Sequence, residues 1–189
     1  MSKRNLGLIK LGIKNAYNYE WTNNDDDGKS KNNEEETKIE TNKNALTELG
    51  KSSNAGNLSN ISNKSIFEIF ELIPKNATMR KLTPIVGGSQ VGVEYKWIDS
   101  NGVTNRLRIH DPDPSAGVRA NSAQGWTARW QVGSKYYDPI NKTFRPRNVH
   151  NVKSSHYDPT AANNTHTPIQ KPEDWLIDLM KKNGNGTHE

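Results

Sequence analysis

The stretch Val91-Gly92-Val93-Glu94-Tyr95-Lys96-Trp97-Ile98-Asp99-Ser100-Asn101-Gly102-Val103-Thr104-Asn105-Arg106-Leu107-Arg108-Ile109-His110-Asp111-Pro112-Asp113-Pro114 decides the fold. Val91, Val93, Tyr95 and Trp97 alternate with Glu94 and Lys96, the two-residue period of a strand with one apolar face. Asp99 to Gly102 supplies a tight turn, with an Asn-Gly pair that tolerates positive φ. Residues 103–109 then return as a second strand. Leu107 and Ile109 face one way; Arg106, Arg108 and His110 face the other. Pro112 and Pro114 lack backbone donors and end the strand. His110 is therefore expected at a strand end, where a rigid element can present its ring to a ligand.

Working outward, residues 126–132 alternate again. Trp126, Ala128, Trp130 and Val132 share one face, and Thr127, Arg129 and Gln131 the other. Gly133-Ser134 is a two-residue turn, and 135–137 pairs back. Upstream, Ser65-Ile66-Phe67-Glu68 fits a capping box opening a short apolar helix that stops before Pro74. Downstream, Pro172-Glu173-Asp174 opens a last helix whose apolar face is Trp175, Leu176, Leu179 and Met180, closed by Lys181, Lys182 and Gly184. Residues 139–168, rich in Pro, Asn, His and Lys, read as long ordered loops. The order of helix, antiparallel strands and helix predicts an α+β domain, one twisted antiparallel sheet with flanking helices.

Residues 22–64 are rich in Asn, Asp, Glu, Lys, Ser and Gly and read as a solvated linker, with a short helix near Asn44–Leu49. Residues 1–20 have Leu6, Ile9 and Ile13 at helical spacing. The expected division is a polar linker or delivery segment over 1–64, partly disordered, and a folded domain over 65–189.

Composition agrees with a partial core. The hydrophobic fraction is 31% and the mean hydropathy −0.95, too polar for one core spanning 189 residues. The net charge of +5 is uneven: residues 1–74 hold 10 Lys and Arg against 11 Asp and Glu, whereas 75–182 hold 16 against 9. The basic part also carries four of the five Trp and every His except His188. A basic, aromatic, histidine-bearing domain points to an anionic partner, nucleic acid first. The absence of Cys excludes disulfides, thiolate metal sites and Cys nucleophiles. No run approaches the roughly 20 apolar residues of a membrane span, so stable membrane insertion is not expected.

No phosphate-binding glycine loop, nucleophile elbow or His-Glu-x-x-His motif is present. Asp111 with Asp113, and His156 with Asp158, have spacings that specify no metal. What remains is His110, His150, His156 and His166, together with Arg106, Arg108, Arg129, Lys142, Arg145, Arg147 and Lys153. Metal-free RNA cleavage needs a base for the ribose 2′-OH, an acid for the leaving 5′-oxygen and a cation for the charge building on phosphorus. Histidine titrates near neutrality and suits the first two roles; the arginine fork suits the third. Trp126, Trp130 and Tyr136 are assigned to the core rather than to base stacking.

Four motifs in order carry a resemblance. They are Arg108-Ile109-His110-Asp111-Pro112-Asp113, Asn121-Ser122-Ala123-Gln124-Gly125-Trp126, Tyr157-Asp158-Pro159 and Asn164-Thr165-His166-Thr167-Pro168-Ile169. Over about residues 72–170 the chain resembles the C-terminal toxin domain of bacterial polymorphic toxins of type 30. The resemblance implies a fold akin to the barnase, EndoU, colicin and RelE nucleases, a ribonucleolytic activity, delivery between competing bacteria and a cognate immunity protein. It places His110 and His166 in the two histidine-bearing stretches, with Arg108 and Thr165 beside them. The family pattern commonly has Gly after the first His, where this chain has Asp111.

The leading expectation is a metal-independent endoribonuclease toxin without cofactor, monomeric when free. It would be secreted or surface-delivered and act on RNA, tRNA being one candidate, in the target-cell cytoplasm. His110, His166, Arg108 and Thr165 are the expected catalytic group. Arg106, Arg129, Lys142, Arg145, Arg147, His156 and Tyr157 are expected to bind substrate. The alternatives are a non-catalytic nucleic-acid or partner-binding module and a metal-dependent DNase.

Overall fold

The computed structural model describes Leu46 and residues 56–181. The expected helical spacing over 1–20 and most of the expected linker lie outside those residues. The first helix, α1 (Ile66–Phe70), is closed by the capping box its sequence announced: the Glu68 N–H donates to Ser65 Oγ at 3.3 Å, and the Ser65 N–H donates to the Glu68 carboxylate at 2.9 Å. Six strands follow: β1 (Thr78–Lys81), β2 (Gly92–Ile98), β3 (Thr104–His110), β4 (Thr127–Val132), β5 (Lys135–Asp138) and β6 (Thr143–Pro146). They pair antiparallel in chain order. Three further short helices are α2 (Asn121–Gln124), α3 (Pro159–Asn164) and α4 (Asp174–Met180).

The central hairpin forms as its alternation requires. Tyr95 stands opposite Leu107, Glu94 opposite Arg108 and Lys96 opposite Arg106, with Gly102 at φ 75° in the turn. One sheet face buries Val93, Tyr95, Trp97, Leu107, Ile109 and Ala128 with Phe67, Phe70, Leu176, Leu179 and Met180 from α1 and α4. Phe70 meets the Tyr95 ring edge-on at 5.5 Å between centroids. Each such fully buried side chain contributes about 1.5–3 kcal/mol.

Several expectations need revision. The region 139–168 is not loop throughout: it holds β6, a 3₁₀ turn (Arg147–His150), α3 and the two-residue strand β7 (Thr167–Pro168). Asp158 caps α3 by accepting from the Ala161 N–H at 2.9 Å, so what reads as a turn former is a helix start. β1 carried no clear alternation because it is an edge strand exposed on one side. The core also reaches upstream of Ser65. Leu58 and Ile61 are buried in it, and Leu46 is buried with its carbonyl accepting the Tyr95 hydroxyl at 3.1 Å. Of the three aromatics assigned to the core, Trp126 is buried there. Trp130 packs at its margin against Tyr137 and Phe144. Tyr136 is buried on the opposite face of the sheet, because it stands opposite Gln131.

Candidate active site

The second face of the sheet carries charge in register. Arg80, Glu94, Arg108 and Arg129 stand directly opposite one another on β1, β2, β3 and β4. Glu94 is 2% exposed and accepts from Arg80 Nε at 2.9 Å, Arg106 Nη1 at 3.1 Å and Arg108 Nη2 at 2.7 Å. Burial alone would raise its pKa; the hydrogen bonds and charges of Arg80 and Arg108 outweigh that and hold it at about 2. One carboxylate thus serves three guanidiniums, and the row keeps a positive excess.

The next register position joins His110 to Thr127. His110 Nδ1–H donates to the Asp111 carbonyl at 2.7 Å, so Nε2 accepts the Thr127 hydroxyl at 3.2 Å. Pro112 ends β3 just beyond, as its missing donor requires. Beyond this point β4 forks. Its end pairs with β5 through Gln131 and Val132, while its start pairs with β7 through Thr127 and Ala128. Arg129 lies in the fork. β7 fixes the preceding residue, His166, beside it. The Arg129 Nη1–H donates to His166 Nε2 at 3.3 Å, and His166 Nδ1–H donates to the Ala162 carbonyl of α3 at 3.2 Å.

The 3₁₀ turn ends on His150, which completes the group. The Thr165 hydroxyl donates to the Ala162 carbonyl at 2.7 Å, so its oxygen accepts His150 Nε2–H at 3.2 Å. The lone pair of His150 is left on Nδ1. Ring centroids are 6.1 Å apart for His110 and His166, 5.8 Å for His150 and His166, and 5.0 Å for His150 and Tyr136. The Arg129 guanidinium carbon sits 4.5 Å above the Tyr136 ring, a cation–π contact that holds the fork in place.

The surroundings disfavour the protonated form of all three rings. Burial is the first cause in each and the Arg129 charge contributes to each, lowering His110 below the usual imidazole range, His150 to about 4 and His166 to about 3. Burial also pushes Arg129 down from the usual guanidinium range, with the charges of Arg108 and Arg147 acting the same way. Among the described residues no carboxylate lies within salt-bridge distance of Arg129, whereas Arg80, Arg106, Arg108 and Arg145 each have one. Two hollows meet at it. One of about 340 Å³ is lined by Arg80, Arg108, His110, Asp113 and His166 among others; one of about 590 Å³ is lined by Tyr136, Arg147, Asn148, His150 and Asn151.

The structure therefore gathers His110, His166, Arg108 and Arg129 into one cleft. Thr165 is fully buried and reaches that cleft only through His150. Arg106 is held by Glu94, and Arg147 lines the larger hollow. Arg145 pairs with buried Asp138 at 3.3 Å on the edge hairpin. Lys142 stands at φ 51° beside a different hollow, near Tyr137 and Asn164. His156 and Tyr157 are exposed on the loop before α3 and line neither hollow at Arg129. Sequence reasoning passed over His150, Tyr136 and Thr127. His150 was visible as one of the clustered histidines. Thr127 and Tyr136 carried no signal, since only strand register sets them beside His110 and Arg129. Asp111 ties down the preceding loop: its carboxylate accepts from Ser89 Oγ at 2.8 Å and from the Gln90 and Val91 N–H groups at 2.9 and 3.0 Å.

A sheet with one face under helices, and the other holding a buried guanidinium among three imidazoles, makes this an α+β domain with an antiparallel sheet. Residues 68–170 match the family model described as Bacterial toxin 30, and the chain belongs to that family of polymorphic toxin domains. No curated protein and no solved structure matches the chain. Among the described residues, no helix is long and apolar enough to cross a membrane.

Proposed function

We propose that this toxin domain is a metal-independent endoribonuclease that cleaves RNA by attack of a 2′-OH on the adjacent phosphorus. The observation that supports the reading is Arg129: a desolvated guanidinium with no carboxylate partner among the described residues, grouped with three imidazoles whose protonation is disfavoured. A phosphodiester supplies the missing negative charge. Its arrival favours the protonated form of each ring and raises the depressed pKa values. One neutral imidazole then takes the 2′-OH proton as the new O–P bond forms. A second imidazole, protonated under the field of the phosphate, gives its proton to the departing 5′-oxygen as the old P–O bond breaks. The products are a 2′,3′-cyclic phosphate and a 5′-hydroxyl, and Arg129 meets the charge on the phosphoryl oxygens.

His110 and His166 are the base and acid in unassigned order, with Arg108 and Arg129 holding the phosphate. A cation placed among these rings would sit against Arg129, which supports chemistry without a metal. Under this reading the fold is of the barnase, EndoU, colicin and RelE kind, and the toxin is delivered into the cytoplasm of a competing bacterium. RNA, with tRNA one candidate, is its substrate and a cognate immunity protein its inhibitor. The test is incubation of the purified protein with total RNA, with and without EDTA, followed by mapping of the new ends. Cyclic-phosphate ends formed equally in both arms support the reading. Loss of cleavage in EDTA, cleavage of DNA instead, or binding without cleavage replaces it.

A further inference from the structure

The larger hollow, of about 590 Å³, holds a second guanidinium that the chemistry above leaves without a task. Arg147 opens the 3₁₀ turn that ends on His150, and it lines this hollow together with Arg129. Its side chain is exposed. Among the described residues it has neither a hydrogen bond nor a carboxylate within salt-bridge distance, unlike Arg80, Arg106, Arg108 and Arg145. Two guanidiniums without a carboxylate thus line one space. Their charges oppose each other: Arg147 helps to lower the pKa of both Arg129 and His150. Like charges gathered in a concave site cost free energy until an anion joins them.

The rest of the lining suits the same ligand. Asn151 Oδ1 accepts the Lys153 N–H at 3.0 Å, so its NH₂ is left without a partner among the described residues. His150 Nε2–H is committed to Thr165, and its Nδ1 has no partner. That nitrogen is reachable from solvent, since among the described residues the one unpaired side-chain nitrogen or oxygen that is buried is Asn148 Oδ1. Being buried, Asn148 Oδ1 adds no acceptor for a ligand, and no carboxylate of the described residues lines the hollow. Guanidinium forks and amide N–H groups are the usual partners of phosphate oxygens. The charge of a phosphate also favours protonation of His150, which turns Nδ1 from an acceptor into a donor.

The two hollows meet at Arg129. A strand whose scissile phosphate lies at Arg108 and Arg129 therefore runs a neighbouring phosphate towards Arg147. We propose that the larger hollow is a second phosphate subsite, in which Arg147, Asn151 and His150 hold the phosphate next along the strand from the scissile one, so that the toxin acts best on strands with at least two phosphates. The proposal rests on the ribonuclease reading above and deepens it.

The experiment uses three dinucleotides of one base sequence, taken from a site mapped in total RNA. Each has a ribonucleotide followed by a deoxynucleotide, so only one bond can be cut. One carries the scissile phosphate alone, one an added 5′-phosphate and one an added 3′-phosphate. For the wild type, kcat/KM should rise about tenfold or more on adding one of the two phosphates, the effect expected of charge-assisted hydrogen bonds. In Arg147→Ala that ratio should shrink to within about threefold of one. Lys75→Ala removes an exposed charge that lines neither hollow, and it should keep the wild-type ratio. Equal kcat/KM for all three substrates, or a gain that survives in Arg147→Ala, overturns the inference and leaves the ribonuclease reading standing. A gain lost equally in Arg147→Ala and Lys75→Ala marks net charge instead of a subsite and overturns it too. No cleavage of RNA by the wild type removes both readings.

Discussion

Replacing Arg129 by Met removes the charge at the centre of the cleft while keeping a flexible stem of similar length. Its guanidinium is within 3.3 Å of His166 Nε2 and contributes to the lowered pKa of His110, His150 and His166. Two unit charges about 4 Å apart interact by about 4 kcal/mol at an effective dielectric of about 20, and one pKa unit corresponds to about 1.4 kcal/mol. Removing the charge should therefore raise the His166 and His150 values, from about 3 and about 4, by roughly one to two units. Both should stay below the free-imidazole value, because burial is the larger cause and is unchanged. Titration of the imidazole proton resonances in the two proteins reads this directly. RNA cleavage should fall by about 10²–10³-fold, the loss typical of a removed charge-stabilising donor. Arg129→Lys should lower the imidazole values again without restoring the rate, since an ammonium lacks the planar fork. Unchanged titration curves in Arg129→Met, or cleavage at the wild-type rate, would refute the assignment of Arg129 as the cation that organises the site.

Further outcomes follow from the same geometry. His110→Ala and His166→Ala should each lose on the order of 10²-fold or more in cleavage, and the double variant should be little worse than the worse single; multiplied losses in initial rates would separate their roles. Folding stability should be greatest above about pH 6.5 and fall as the pH drops towards 4. In that range the unfolded chain binds protons that the buried His150 and His166 refuse, and the loss is about 1.4 kcal/mol per pH unit for each proton of difference; a urea midpoint flat over this range would contradict it. Glu94 adds a loss of the same sign below about pH 4.5, because its folded value of about 2 lies under the unfolded one. Leu58→Ala should cost about 2–5 kcal/mol in urea unfolding, and a cost under about 1 kcal/mol would mean that the segment before Ser65 is dispensable to the core. RNA affinity should fall steeply with salt, and Arg147→Ala should reduce both affinity and salt slope; affinity independent of salt would count against a phosphate-tracking face.

The β2–β3 hairpin, the faces of β3 and β4, the Ser65 capping box and the last helix were all readable in the sequence, because each depends on short-range periods and turn chemistry. Alternation alone put Arg106, Arg108 and His110 on one face and Leu107 and Ile109 on the other. Composition placed the positive excess in the part of the chain that holds the cleft. The pairing of β4 with two partners was not readable. β7 has only two residues, and nothing in Thr167-Pro168 distinguishes it from loop until β4 supplies the register. That contact, between residues about forty apart in sequence, brings His166 beside Arg129. The turn that delivers His150 and the row that leaves Arg129 without a carboxylate among the described residues are set in the same way, by long-range register and packing. Local sequence determined which side chains stand on which face of a strand. Only the tertiary structure decided which strands are neighbours, and so which imidazoles share a charge.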